Sequence, residues 1–150
     1  MRSKSAIPTS FQIVPDCTEL PFLLDTSVAV HLRDGEEAVV AQFEALTERP
    51  FLSALTRVEL EGGIYAKPQF AAQRRAAVDV LLTFLPVLDF DFAMAETYGT
   101  ILQTSGFSRR KINDRMIAAT ALVEGLTLIT CNGDDFADVP GLELLVWDVG

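Results

Sequence analysis

Cysteine is scarce in this 150-residue chain, which holds only Cys17 and Cys131. Two thiols cannot build a disulfide framework, and neither stands in a CxxC or Cys/His zinc spacing, so a reducing cytoplasm is the expected setting. Histidine is scarcer still. The single one, His31, lies inside an apolar helical pattern and reads as a packing or surface residue. No stretch approaches the roughly 18 uninterrupted apolar residues of a membrane helix. Arg2 and Lys4 open the chain, but Pro8, Thr9, Ser10 and Gln12 interrupt the run from Ala6 to Val14, a poor core for a secretory signal. Bases are also in short supply. Twelve against 21 acids leave a net charge of −9, the wrong sign for gripping nucleic acid by counterion release alone. The surplus acids either serve solubility or are gathered around a cation. What is plentiful is apolar residues, 49% of the chain, which argues against disorder. The length suits one domain able to bury about 68–70% of its unfolded surface.

Residues 1–21 hold Pro8, Pro15 and Pro21 without an apolar period and read as an extended N-terminal arm. From Phe22 onward, short apolar runs alternate with helical patterns. Strands are expected at 22–24, 51–54, 86–88, 126–130 and 143–146. Helices are expected at 27–33, 36–46, 56–65, 71–84, 92–103 and 112–124, with Gly35, Pro68, Gly106 and Gly125 as breaks. Such alternation predicts an α/β domain over 22–150 with a mostly parallel central sheet and helices on both faces. Right-handed crossovers then bring the strand C-termini to one edge, where ligands bind in such folds.

Acids recur at that edge. Asp25 ends the first strand, Glu59 is read into the first turn of the helix after Thr56, and Asp114 opens a later helix. Asp134 and Asp135 come after the strand ending at Thr130. Each has a structural alternative: Asp25 as a helix N-cap, Thr56-x-x-Glu59 as a capping box, Asp114 as a favourable charge at a helix start, and Asn132-Gly133-Asp134-Asp135 as a solvated turn. As a set they suggest more. Asp25 sits in the apolar run from Pro21 to Val30, so the cleft is expected to be partly desolvated. Carboxylates converging there repel each other unless a cation neutralises them. An all-oxygen donor set favours Mg²⁺ or Mn²⁺ over zinc and suits phosphoryl chemistry.

These residues fall into an ordered set: Leu23-Leu-Asp-Thr-Ser27, Ser53 to Leu60, Tyr98-Gly99 before Gly106, Asn113 to Ala119 with Ala121-Leu122, Leu128 to Phe136, and Gly141 to Trp147. The set resembles the PIN-domain nucleases, and more closely the VapC-type toxins of toxin–antitoxin pairs. The resemblance implies a three-layer α/β/α fold and an Mg²⁺- or Mn²⁺-dependent endoribonuclease. It also implies that Asp25, Glu59, Asp114 and Asp135 are the catalytic, metal-holding acids. Asp134 is an extra acid beside the fourth. Thr26 and Ser27 are expected as supporting hydroxyls or helix caps, and Asn132 as a partner for water or a carboxylate. The run Arg109-Arg110-Lys111, with Arg57 and Arg115, is the candidate RNA contact; its alternative is a solvated loop. The resemblance further implies a homodimer silenced by a VapB-like antitoxin, while the arm has no counterpart in it.

Other classes fit less well. A receiver domain needs an acid pair at its first strand and a lysine after its last. A haloacid-dehalogenase phosphatase needs Asp-x-Asp, but position 27 is Ser. No G-x-G-x-x-G for a dinucleotide occurs. The serious alternative is a PIN-fold binding or assembly protein with little nuclease activity.

Overall fold

The computed structural model describes residues 21–150, so the expected arm, apart from Pro21, lies outside the described residues. The domain begins with β1 (Phe22–Leu24), then α1 (Thr26–Arg33), α2 (Glu37–Glu44), β2 (Phe51–Ser53) and α3 (Ala54–Ala66). A 3₁₀ turn at Pro68–Phe70 leads into α4 (Ala71–Phe84), β3 (Val87–Leu88) and α5 (Phe92–Ser105). A second 3₁₀ turn at Arg109–Lys111 leads into α6 (Ile112–Glu124) and β4 (Thr127–Thr130). A third, Gly133–Phe136, precedes β5 (Leu144–Val146). The expected elements are all present, with ends moved by a residue or two. The shift that matters for the site is in α3, which starts at Ala54 because Ser53 caps it: the Ser53 hydroxyl accepts from the Thr56 amide at 3.0 Å.

The sheet order is β3-β2-β1-β4-β5, and every pairing is parallel. β1 is therefore the point where the order reverses: the chain builds outward to β3 on one side, then returns to lay β4 and β5 on the other. The crevice above such a strand is the usual ligand site of an open parallel sheet. Register and pleat sort the core into two layers. Leu24 pairs with Leu52 and Ile129, and these three pack with Val28, Val39, Leu60, Ile64, Val78 and Trp147 from one side. Leu23 pairs with Phe51 and Leu128 and packs with Ile101, Ile117, Ala118 and Phe136 from the other. Helices α1–α4 thus cover one face and α5 with α6 the other, the three-layer arrangement expected. Among the described residues, no helix is long and apolar enough to cross a membrane.

Candidate functional site

Asp25 stands at the end of the central strand. Its amide donates to the Ile129 carbonyl at 2.8 Å, which fixes it at the seam between β1 and β4. The residue is only 4% exposed. Its Oδ2 accepts from the Ser27 hydroxyl and from the Thr130 hydroxyl, each at 2.8 Å. The Ser27 Oγ in turn accepts from the Cys131 amide at 3.1 Å, and the Thr130 Oγ1 from the Asn132 amide at 3.0 Å. Burial pushes the Asp25 pKa up, against the pull of these two hydroxyls and of the Thr26 and Ser27 amides. Although it occupies the N-cap position of α1, its side chain makes no capping bond. The full hydrogen bonds of this carboxylate come from the Ser27 and Thr130 hydroxyls.

Glu59 requires a correction. Because α3 begins at Ala54, Glu59 lies in its second turn, and Ser53, not Thr56, is the cap. Glu59 reaches away from the helix start to neighbouring elements. Thr26 Oγ1 donates to its Oε1 at 2.5 Å, and Asn113 Nδ2 to its Oε2 at 3.1 Å. The Thr26 and Thr56 hydroxyls lie 2.9 Å apart, so buried Thr56 supports Thr26.

Asp114 lies in the first turn of α6, as read from the sequence, and is half-buried. Its pKa is pushed up to about 6, first by burial and then by the charges of Asp25, Asp135 and Glu59, with Lys111 opposing. Acids from four separate segments therefore share one electrostatic neighbourhood. Asp135, on the 3₁₀ turn after β4, is part-buried, whereas Asp134 beside it is exposed. Among the described residues, no three of His, Cys, Asp and Glu close into a compact metal cage. The donor set still fits a hard cation that keeps several waters and takes one or two carboxylates directly.

The basic candidates divide. Arg109 and Arg110 are exposed, while Lys111 pairs with Asp138 at 3.4 Å. Arg57 bonds Glu61 at 3.0 Å. Arg115, a candidate RNA contact by sequence, is buried and bonded to Asp138 at 3.0 Å and to the Gly106 carbonyl, so it cannot reach a ligand. Sequence reasoning missed Thr130 and Asn113. Thr130 had a usable signal as the last residue of the strand beside Asp25. Asn113 had only its place next to Asp114. Asn132 contributes its main-chain amide to this set; among the described residues no side-chain bond from it to a carboxylate is found.

The PIN domain family matches residues 22–142. Ribonuclease VapC2 of Rickettsia felis is 29% identical over 133 residues, covering 85% of this chain and 98% of the relative. The tRNA(fMet)-specific endonuclease VapC of Salmonella typhimurium is 30% identical over 132 residues, with coverage of 85% and 98%. Among solved structures, VapBC2 from Rickettsia felis bound to a promoter DNA fragment superposes with a TM-score of 0.77 at 26% identity, covering 86% of this chain and all of that one. DNA-bound VapBC from Salmonella typhimurium gives 0.75 at 28% identity, with coverage of 85% and 98%.

Proposed function

The chain belongs to the PIN-domain family, among its VapC-type members, and on that premise we propose that it is a metal-dependent endoribonuclease acting as the toxin of a toxin–antitoxin pair. The observation that carries the reading is Asp114, held near pKa 6 by burial and three other carboxylates. Repulsion of that kind is relieved when a cation sits among the acids. Asp25, Glu59, Asp114 and Asp135 are the residues that would hold Mg²⁺ or Mn²⁺, directly or through water. When bound, such an ion supplies charge stabilisation at the phosphate and an acidified water.

The chain's own residues do the rest. Ser27 and Thr130 favour the ionised form of Asp25, and Thr26 with Asn113 fixes both oxygens of Glu59. Asp25, Glu59 and Asp114 thus come from three elements whose relative positions are set by the core. The nuclease domain is taken as 22–150. The reaction is in-line attack of water on an RNA phosphodiester, with one ester oxygen leaving. The solved relatives named VapBC support a VapB-like antitoxin as partner; a homodimer as the toxin form is what the VapC resemblance implies. The name of the Salmonella relative makes initiator tRNA one substrate to examine.

The test is induced expression in a bacterial host lacking the cognate antitoxin, comparing the natural chain with Asp114→Asn. Growth arrest with discrete new 5′ ends in total RNA is expected for the natural chain alone, with at least about a 100-fold loss of cutting in the variant. A soluble, folded natural chain that leaves cellular RNA intact would favour the binding-protein alternative instead.

A further inference from the structure

Outside the acidic cluster, a set of polar contacts gathers around Asp138. Arg115, 2% exposed, lies beneath the connection between α5 and α6. Its Nη1 donates to the Gly106 carbonyl and its Nη2 to Asp138 Oδ2 at 3.0 Å. Its Nε is buried without a partner among the described residues, so the guanidinium is kept there despite an unsatisfied donor. Lys111 Nζ reaches the same Asp138 oxygen at 3.4 Å, and Ser105 Oγ donates to the Asp138 carbonyl at 2.5 Å. Asp138 thus receives bonds from both ends of the segment 105–111 and from Arg115, the neighbour of Asp114.

That segment has an unusual content. Gly106, at φ +83°, ends α5 and turns the chain, after which Phe107 stands 68% exposed. Arg109 and Arg110 come next on the 3₁₀ turn that runs into α6, both exposed and without an ion pair among the described residues. The clamp takes Lys111 and Arg115 and leaves these two guanidiniums and one aromatic ring for solvent. On a chain of net charge −9, this is a local cationic site beside Asp114. A ring next to guanidiniums is the chemistry that binds unpaired RNA, through base stacking and phosphate contact.

We propose that Arg115 and Asp138 form a positioning clamp that fixes segment 106–111 at the mouth of the acidic cleft, so that Phe107 stacks on an unpaired base while Arg109 and Arg110 hold adjoining phosphates. This rests on the ribonuclease reading and names the residues that hold the strand. Single-strand stacking is tolerant of sequence, so a fluorescein-labelled oligouridylate is a sufficient probe. Its binding is read by anisotropy over a salt series, using protein that carries Asp114→Asn so that the strand stays whole.

Adding Phe107→Ala weakens binding about tenfold with the salt slope unchanged. Adding Arg109→Ala and Arg110→Ala makes the slope shallower by about 0.7 for each phosphate released. Asp138→Ala is the decisive variant. Removing an acid from an acidic protein tightens RNA binding by simple electrostatics, whereas loss of the clamp weakens it several-fold. Tighter binding by Asp138→Ala, or unchanged binding by Phe107→Ala, overturns the proposal. So does a parent protein that binds no single strand, or a Phe107→Ala variant that changes oligomeric state in light scattering at constant affinity, which would assign the ring to an interface between copies. Absence of cuts in cells overturns the nuclease reading, a separate failure.

Discussion

Asp114 couples the acidic site to the stability of the fold. Its folded-state pKa, about 6, lies above the ordinary carboxyl value of 3.8. Between those values the folded chain holds the proton more tightly than the unfolded chain, so this group makes stability rise as pH falls through 6 towards 4. Metal-free protein is therefore expected to melt at a higher temperature near pH 5 than at pH 7.5. Asp114→Asn should reduce that difference and melt no lower than the natural chain at pH 7.5 in chelator. A residual slope of the same sign belongs to Asp25, whose pKa is also raised. Thermal unfolding across that pH range checks both points. Thr130 gives the complementary case. Thr130→Val removes a buried donor to Asp25 and is expected to cost about 1–3 kcal/mol at pH 7.5. The deficit should shrink as the pH falls and Asp25 takes up a proton, which urea unfolding across an acid series would show. A pH-independent loss would instead assign the effect to packing and to the bond that Thr130 Oγ1 accepts from the Asn132 amide.

The elements show why local signals locate helices better than they assign roles. α6 spans the residues expected, because Gly125 closes it at φ +68°, where a side chain is strained. In α3 the capping-box pattern pointed to Thr56, whereas Ser53, three residues earlier, is the cap. The choice of Ser53 moves Glu59 from a capping box into the cleft. Ser53→Ala is accordingly expected to lower stability by about 1 kcal/mol while the contacts of Glu59, and hence RNA cutting, persist. Urea unfolding together with the 5′-end assay separates the two. Close approach matters after β4, too. A Cβ on Gly133 would lie 2.8 Å from Val146 Cγ2, so glycine lets the turn carrying Asp135 pack against β5. Nothing in the spacing of Asn132-Gly133-Asp134-Asp135 announces that contact. For that reason, spacing alone does not choose between Asp134 and Asp135, whereas burial separates them.

For the whole molecule, the net charge of −9 and the acids above the central strand have one consequence. A cation that binds the folded chain and not the unfolded one stabilises it by mass action. Adding Mg²⁺ or Mn²⁺ at pH 7.5 should raise the melting temperature of the natural chain progressively. Much less of a rise is expected for Asp114→Asn, and an equal one would mean that the ions act elsewhere. The order of elements, the parallel sheet and the convergence of acids at one edge were legible in the chain because apolar periodicity reports which face of each element is buried, and crossover geometry sends strand ends to one edge; Asp135 rather than Asp134 was indicated by the family resemblance alone. Partner choice was not legible. That Thr130 bonds Asp25 across β1 and β4, that Asn113 meets Glu59, and that Arg115 turns inward to Asp138 all depend on segments distant in sequence. Hydrogen bonds are settled by which side chains packing brings within about 3 Å. Here packing acts through the β3-β2-β1-β4-β5 order and the two core layers, so the residues determined the site's chemistry and the fold alone decided which groups hold it in place.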